Sequence, residues 1–179
     1  GSTPGAVPAR LSRLALPPNA DDQLLLEADG DGKADVLRWS KTGLTLTSGG
    51  RPIKDSGLER VKDVVSAAAG DFDNDGWADL CILTEQGPLL YRNNKGKFVK
   101  VDAKLPAGRF EKAVWLDYDH DYDLDLLLLG EKSVLLRNQG SAGFADHTVD
   151  FPFTPGHALD VMLYRWPAAS QAFDLEVGC

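Results

Sequence analysis

The chain has 179 residues, 43% of them hydrophobic, which suits one domain with a sizeable core and argues against disorder. Its net charge of −8, from 19 basic and 27 acidic residues, gives no electrostatic basis for binding nucleic acid. The longest apolar run, Leu124 to Leu129 interrupted by Asp125, is too short to cross a bilayer, so no membrane insertion is expected.

The acids are unevenly placed. Twelve of them recur at matching positions of three short loops and account for more than the whole net charge. The 18 Gly and 10 Pro fall between short apolar runs, the pattern of many strands joined by tight turns.

Gly1-Ser2 reads as a cloning remnant, so the lack of a leader peptide carries no information on localisation. Residues 1–19 form an extension in which Arg10 to Pro17 resembles Phe98 to Pro106, a stray strand without its own unit. The first full unit is expected over 20–62. It holds the run Leu24-Leu25-Leu26, the loop Glu27-Ala-Asp-Gly-Asp-Gly-Lys-Ala-Asp35, a second run at Val36-Leu37, the turn Lys41-Thr42-Gly43 and a third run over Leu44 to Thr47.

The second unit, 63–108, repeats the order. Val64 to Ala67 leads into Asp71-Phe-Asp-Asn-Asp-Gly-Trp-Ala-Asp79, then Leu80 to Leu83, the turn Glu85-Gln86-Gly87, Pro88 to Tyr91, Arg92-Asn93-Asn94, and Lys97-Phe98-Val99. The third, 109–155, runs from Ala113 to Leu116 through Asp117-Tyr-Asp-His-Asp-Tyr-Asp-Leu-Asp125 to Leu126 to Leu129. Gly130-Glu131-Lys132, Ser133 to Leu136, Arg137-Asn138-Gln139-Gly140 and Gly143-Phe144 follow. In the tail, 156–179, Trp166 to Asp174 aligns with Asp117 to Asp125 but lacks its first three acids; a degenerate partial unit without metal is expected.

The three loops start at positions 27, 71 and 117, a period in the mid-forties that suits a four-stranded propeller blade. Runs of four to six residues are too short for independent helices. The expected fold is all-β: β-propeller blades of four antiparallel strands, about three full blades with partial blades at the ends. Such an open ring leaves exposed edges, which invites a homo-oligomer joined edge to edge.

Acids at positions 1, 3, 5 and 9 of each loop point to a hard cation. Calcium takes six to eight oxygen ligands, and alternate acids on a tight loop can face inward together. Gly32 and Gly76 at position 6 permit the reversal. The candidate ligands are Glu27, Asp29, Asp31 and Asp35; Asp71, Asp73, Asp75 and Asp79; Asp117, Asp119, Asp121 and Asp125. Position 7 would offer a backbone carbonyl, from Lys33, Trp77 and Asp123, and Asp123 adds a carboxylate there. Glu27 reaches one methylene further than Asp. Tyr122 stands where Gly is expected, so its turn must be strained or redrawn. An EF-hand is rejected, because position 12 is Arg38, Ile82 or Leu128 rather than Glu and the flanks read as strands.

The pattern Asp-x-Asp-x-Asp-Gly-x-x-Asp between two strands, at this period, resembles the FG-GAP/VCBS repeat of integrin-type propellers. Gly70 to Leu80 matches it at every defining position, and the resemblance covers about 20–150. It implies Ca2+ in the A–B hairpin loop of each blade, with extracellular or periplasmic placement. It also implies a role in adhesion, glycan binding or assembly, so a protein or glycan partner. No nucleophile elbow, phosphate loop or dinucleotide fingerprint is present, and a non-enzymatic module is expected. Glycan binding through Trp77 and inter-blade pockets, or membership of a carbohydrate-active enzyme, are the alternatives. Trp39, Trp115 and Trp166 are expected to pack between blades, and Cys81 to be a buried small hydrophobe.

Overall fold

The computed structural model describes residues 22–150 and, by their backbone, the strands at 160–165 and 173–178. The stray strand at Arg10 to Pro17 and Trp166 lie outside the described residues.

Three antiparallel four-stranded sheets follow one another along the chain. The first contains β1 (Asp22–Leu26), β2 (Asp35–Ser40), β3 (Gly43–Ser48) and β4 (Arg51–Pro52). The second contains β5 (Val64–Gly70), β6 (Asp79–Thr84), β7 (Gly87–Asn94) and β8 (Lys97–Lys100). The third contains β9 (Lys112–Leu116), β10 (Asp125–Leu129), β11 (Val134–Asn138) and β12 (Phe144–Asp146). Each sheet is a meander whose spatial order is the chain order, which is the blade of a propeller. Beyond them β13 (Asp160–Arg165) and β14 (Phe173–Gly178) pair as an antiparallel hairpin.

The second strand of each blade shows why the apolar runs are continuous rather than alternating. A blade stacked between two others buries both of its faces. Leu80, Cys81, Ile82 and Leu83 are wholly buried in β6, and Leu126 to Leu129 in β10. The faces feed different cores. Leu80 and Ile82 join Leu37, Leu46 and Trp39 of the first blade, whereas Cys81 and Leu83 join Leu126, Leu128 and Leu136 of the third. Cys81 is thus a core residue, and burial pushes its thiol pKa up, away from reactivity.

The fourth strands lie outermost. Pro52 sits on β4, an edge where a missing N–H breaks no ladder bond. The innermost strands bring the blades together. Trp115 of β9 stacks on Phe72, with centroids 5.7 Å apart and planes 14° apart, and donates its indole N–H to the Ala68 carbonyl at 3.3 Å. A Cβ at Gly70 would stand 2.7 Å from that indole, so the close approach requires glycine there. Trp39 and Trp115 therefore pack between blades as expected. The segment after β4 crosses to the second blade, where Phe98 donates its N–H to the Ser56 carbonyl at 2.7 Å.

Candidate metal centres

Every acidic loop joins the first strand of its blade to the second. β1 ends at Leu26 and β2 starts at Asp35; β5 ends at Gly70 and β6 starts at Asp79; β9 ends at Leu116 and β10 starts at Asp125. Position 9 is thus the first residue of the second strand, and its side chain is buried in all three blades.

The loop backbone is the same each time. Position 4 has positive φ at Gly30 (79°), Asn74 (58°) and His120 (62°). Position 6 has positive φ at Gly32 (77°), Gly76 (88°) and Tyr122 (74°). Of the two outcomes open for Tyr122, the structure adopts strain: the turn is retained, with a bulky exposed residue in the left-handed region.

Two paired left-handed residues fold the loop over its own carboxylates. In the second loop the N–H groups of Asp75 and Gly76 point at the Asp71 carboxylate at 3.0 and 2.9 Å. The third loop repeats this from Asp121 and Tyr122 to Asp117 at 3.1 and 3.2 Å. In the first, the longer Glu27 accepts instead from Gly30, at 2.7 Å. Position 5 is used alike in all three: Asp31, Asp75 and Asp121 accept the N–H of Lys33, Trp77 and Asp123 at 2.8, 2.9 and 3.0 Å. Position 9 is anchored by the N–H of position 2, from Ala28, Phe72 and Tyr118, at 2.9, 3.1 and 2.9 Å.

The outcome is three convergent carboxylate groups: Glu27, Asp29 and Asp35; Asp71, Asp73 and Asp79; Asp117, Asp119 and Asp125. Within each group the ligand atoms lie no more than 4.8 Å apart. The position 5 acids stand outside these groups, on the exposed lip. Lys33 is exposed beside Asp31, 3.7 Å from its carboxylate. Trp77 is half-buried over Gly30 of the first loop. The Asp123 carboxylate turns to the second blade, where it accepts from the Asn74 amide at 2.7 Å.

Electrostatically the groups concentrate negative charge. Burial pushes Asp79 up to about 6, helped by the nearby Asp73 and Asp75 carboxylates and opposed by the N–H groups of Asn93 and Phe72. Asp125 is raised for the same leading reason. One oxygen in every group, Oδ1 of Asp35, Asp73 and Asp119, is buried with no hydrogen-bond partner. Buried carboxylate oxygens facing one another without donors are unfavourable unless a cation joins them. The donor set is all oxygen, which fits a hard cation such as calcium.

Two residue pairs escaped the sequence reading. Arg92 and Arg137 form ion pairs with the position 3 carboxylates of Asp73 and Asp119. Asn93 and Asn138, next in line, donate their backbone N–H to Asp79 and Asp125 at 2.7 and 2.8 Å. The repeated Arg-Asn at the end of the third strand was the available signal. Ser48 and Gly49 occupy the corresponding place in the first blade.

A comparison with curated proteins found no match. Residues 71–128 match the model of the FG-GAP-like repeat. The matched span opens on Asp71 and ends within β10, so it takes in the second and third carboxylate groups and the strands β6 to β9. Residues 71–128 are thus similar to an FG-GAP-like repeat.

Proposed function

We propose that the protein is a calcium-stabilised binding or scaffold module whose A–B loops each hold one Ca2+. The observation that supports this most is the convergence of three carboxylates in each loop with a buried, unpartnered oxygen among them. Positions 1, 3 and 9 would supply the inner ligands, and position 5 and the position 7 carbonyls of Lys33, Trp77 and Asp123 would complete the set. Calcium here joins strand ends that otherwise repel each other, and binding to the folded state alone stabilises it by mass action. FG-GAP repeats occur typically in extracellular proteins, where calcium is plentiful, and we place this one there. Among the described residues no helix is long and apolar enough to cross a membrane.

The partner is a protein or a glycan. A cavity of about 670 Å³ between the second and third blades favours the glycan reading as the second one. It combines the rings of Phe72 and Phe144 with Arg92, Lys104 and Asp102, a mixture suited to sugar faces and hydroxyls.

The test is calorimetric calcium titration of metal-stripped protein, with thermal melts alongside. Three sites and a rise in melting temperature are expected. No binding and no shift would overturn the calcium reading. A glycan array with and without calcium separates the two classes of partner.

A further inference from the structure

The three carboxylate groups are not separate. Asn138 receives attention from two blades at once: its backbone N–H bonds Asp125 of its own blade at 2.8 Å, and its side-chain amide donates to the Phe72 carbonyl of the second blade at 2.7 Å. Phe72 in turn donates its N–H to Asp79 at 3.1 Å. Asp79 accepts the Asn93 N–H at 2.7 Å, and the Asn93 amide donates to the Ala28 carbonyl of the first blade at 2.9 Å. Ala28 donates its N–H to Asp35 at 2.9 Å. One unbroken hydrogen-bond chain therefore runs from the position 9 ligand of the third blade, through that of the second, to that of the first. It ends at Asp35, whose Oδ1 has no hydrogen-bond partner.

We propose that Asn93 and Asn138 are positioning residues that couple metal binding in adjacent blades, so that a cation in one loop raises the affinity of the next. This rests on the calcium reading above. The carbonyls they hold belong to the peptides Ala28–Asp29 and Phe72–Asp73, and Asp29 and Asp73 are the position 3 ligands. A cation that fixes Asp79 fixes the backbone it accepts from at Asn93, and Asn93 then holds the Ala28–Asp29 peptide in place. The neighbouring loop loses part of its ordering cost before its own cation arrives. Both asparagines are buried, with side-chain oxygens also engaged by Gly96 and Gly140 N–H groups at 2.8 and 3.0 Å, so neither amide is free to turn away.

The test is a thermodynamic cycle on the full chain, read by calorimetry with calcium alone as the probe. Asp119→Asn leaves sites in the first two blades; Asp73→Asn with Asp119→Asn leaves the first alone. The first-blade Kd should tighten about fivefold or more when the second site is intact, the lower range of ordinary coupling. Asn93→Ser should bring that ratio close to one, and Asn138→Ser should leave it unchanged. An asparagine with only a structural role would lower melting temperature and leave the ratio intact. A ratio of one in the parent, or a ratio unmoved by Asn93→Ser, overturns the coupling while leaving calcium binding standing. Absence of calcium binding in the unsubstituted chain overturns both. Should Asn93→Ser fail to fold, the same cycle run on the second and third sites with Asn138→Ser decides the matter.

Discussion

The indole of Trp77 in the second blade lies directly against Gly30 in the first: a Cβ built on Gly30 would stand 2.5 Å from the ring. Position 7 of one loop thus seals position 4 of its neighbour, and the absence of a side chain at Gly30 makes this possible.

Gly30→Ala should destabilise the protein in two ways, through the left-handed φ of 79° and through collision with the indole. Gly32→Ala is the control, since its φ is 77° and nothing lies within 4 Å of its Cβ. The control should cost about 1 kcal/mol from backbone strain, and Gly30→Ala about 1–3 kcal/mol more from overpacking. Trp77→Ala should abolish that difference, a double-mutant result read from denaturant midpoints.

Tyr122 holds a left-handed conformation, φ 74°, and the residue is 86% exposed. Little packing compensates the strain. Tyr122→Gly should therefore stabilise the protein by about 0.5–1 kcal/mol, the backbone gain less the added unfolded-state entropy of glycine. Thermal melting of metal-stripped protein is the check, and a fall in midpoint would show that the tyrosine contributes contacts worth more than its strain.

Asp79 supplies a pH dependence of definite sign. Its pKa in the fold is about 6, above the ordinary 3.8. Between these values the folded state keeps a proton that the unfolded chain has released, so stability falls as pH rises through this window, and the penalty is complete above it. Metal-stripped protein should gain a contribution from this group on going from about pH 7 to about pH 5. Asp79→Asn should remove it. Saturating calcium should shrink or invert the difference, because the cation favours the ionised carboxylate. Melts at the two pH values, with and without calcium, test this.

Arg92 pairs with Asp73 on the carboxylate that the calcium reading assigns to position 3. A guanidinium and a metal ion compete for that charge. Arg92→Gln should tighten calcium binding in the second blade by up to about fivefold, in line with the modest worth of an exposed ion pair. The first blade, with Ser48 at that place in the register, should be unaffected. A weakened second site would mean that the arginine supports the loop rather than competing for it.

The blade pattern was legible in the chain because it is local. Short runs, turns and acids at positions 1, 3, 5 and 9 repeat within a window of about one blade, and β-pairing joins sequence neighbours throughout the three sheets. Even the burial of Cys81 followed from its place in an apolar run. The acidic loops could be located for the same reason, and so could the glycines that reverse them.

Which acids converge was decided elsewhere. Asp75 and Asp121 have the same residue type and spacing as their neighbours, yet they stand on the lip because each accepts the N–H two residues on. Asp123 looks like an added ligand in one dimension, but Asn74, 49 residues away, takes its carboxylate. Asn93 and Asn138 reach carbonyls 65 and 66 residues back. Such contacts depend on how one blade is set against the next. Local propensity carries no term for that placement; the packing of both faces of each sheet determines it, and with it the environment of every carboxylate group.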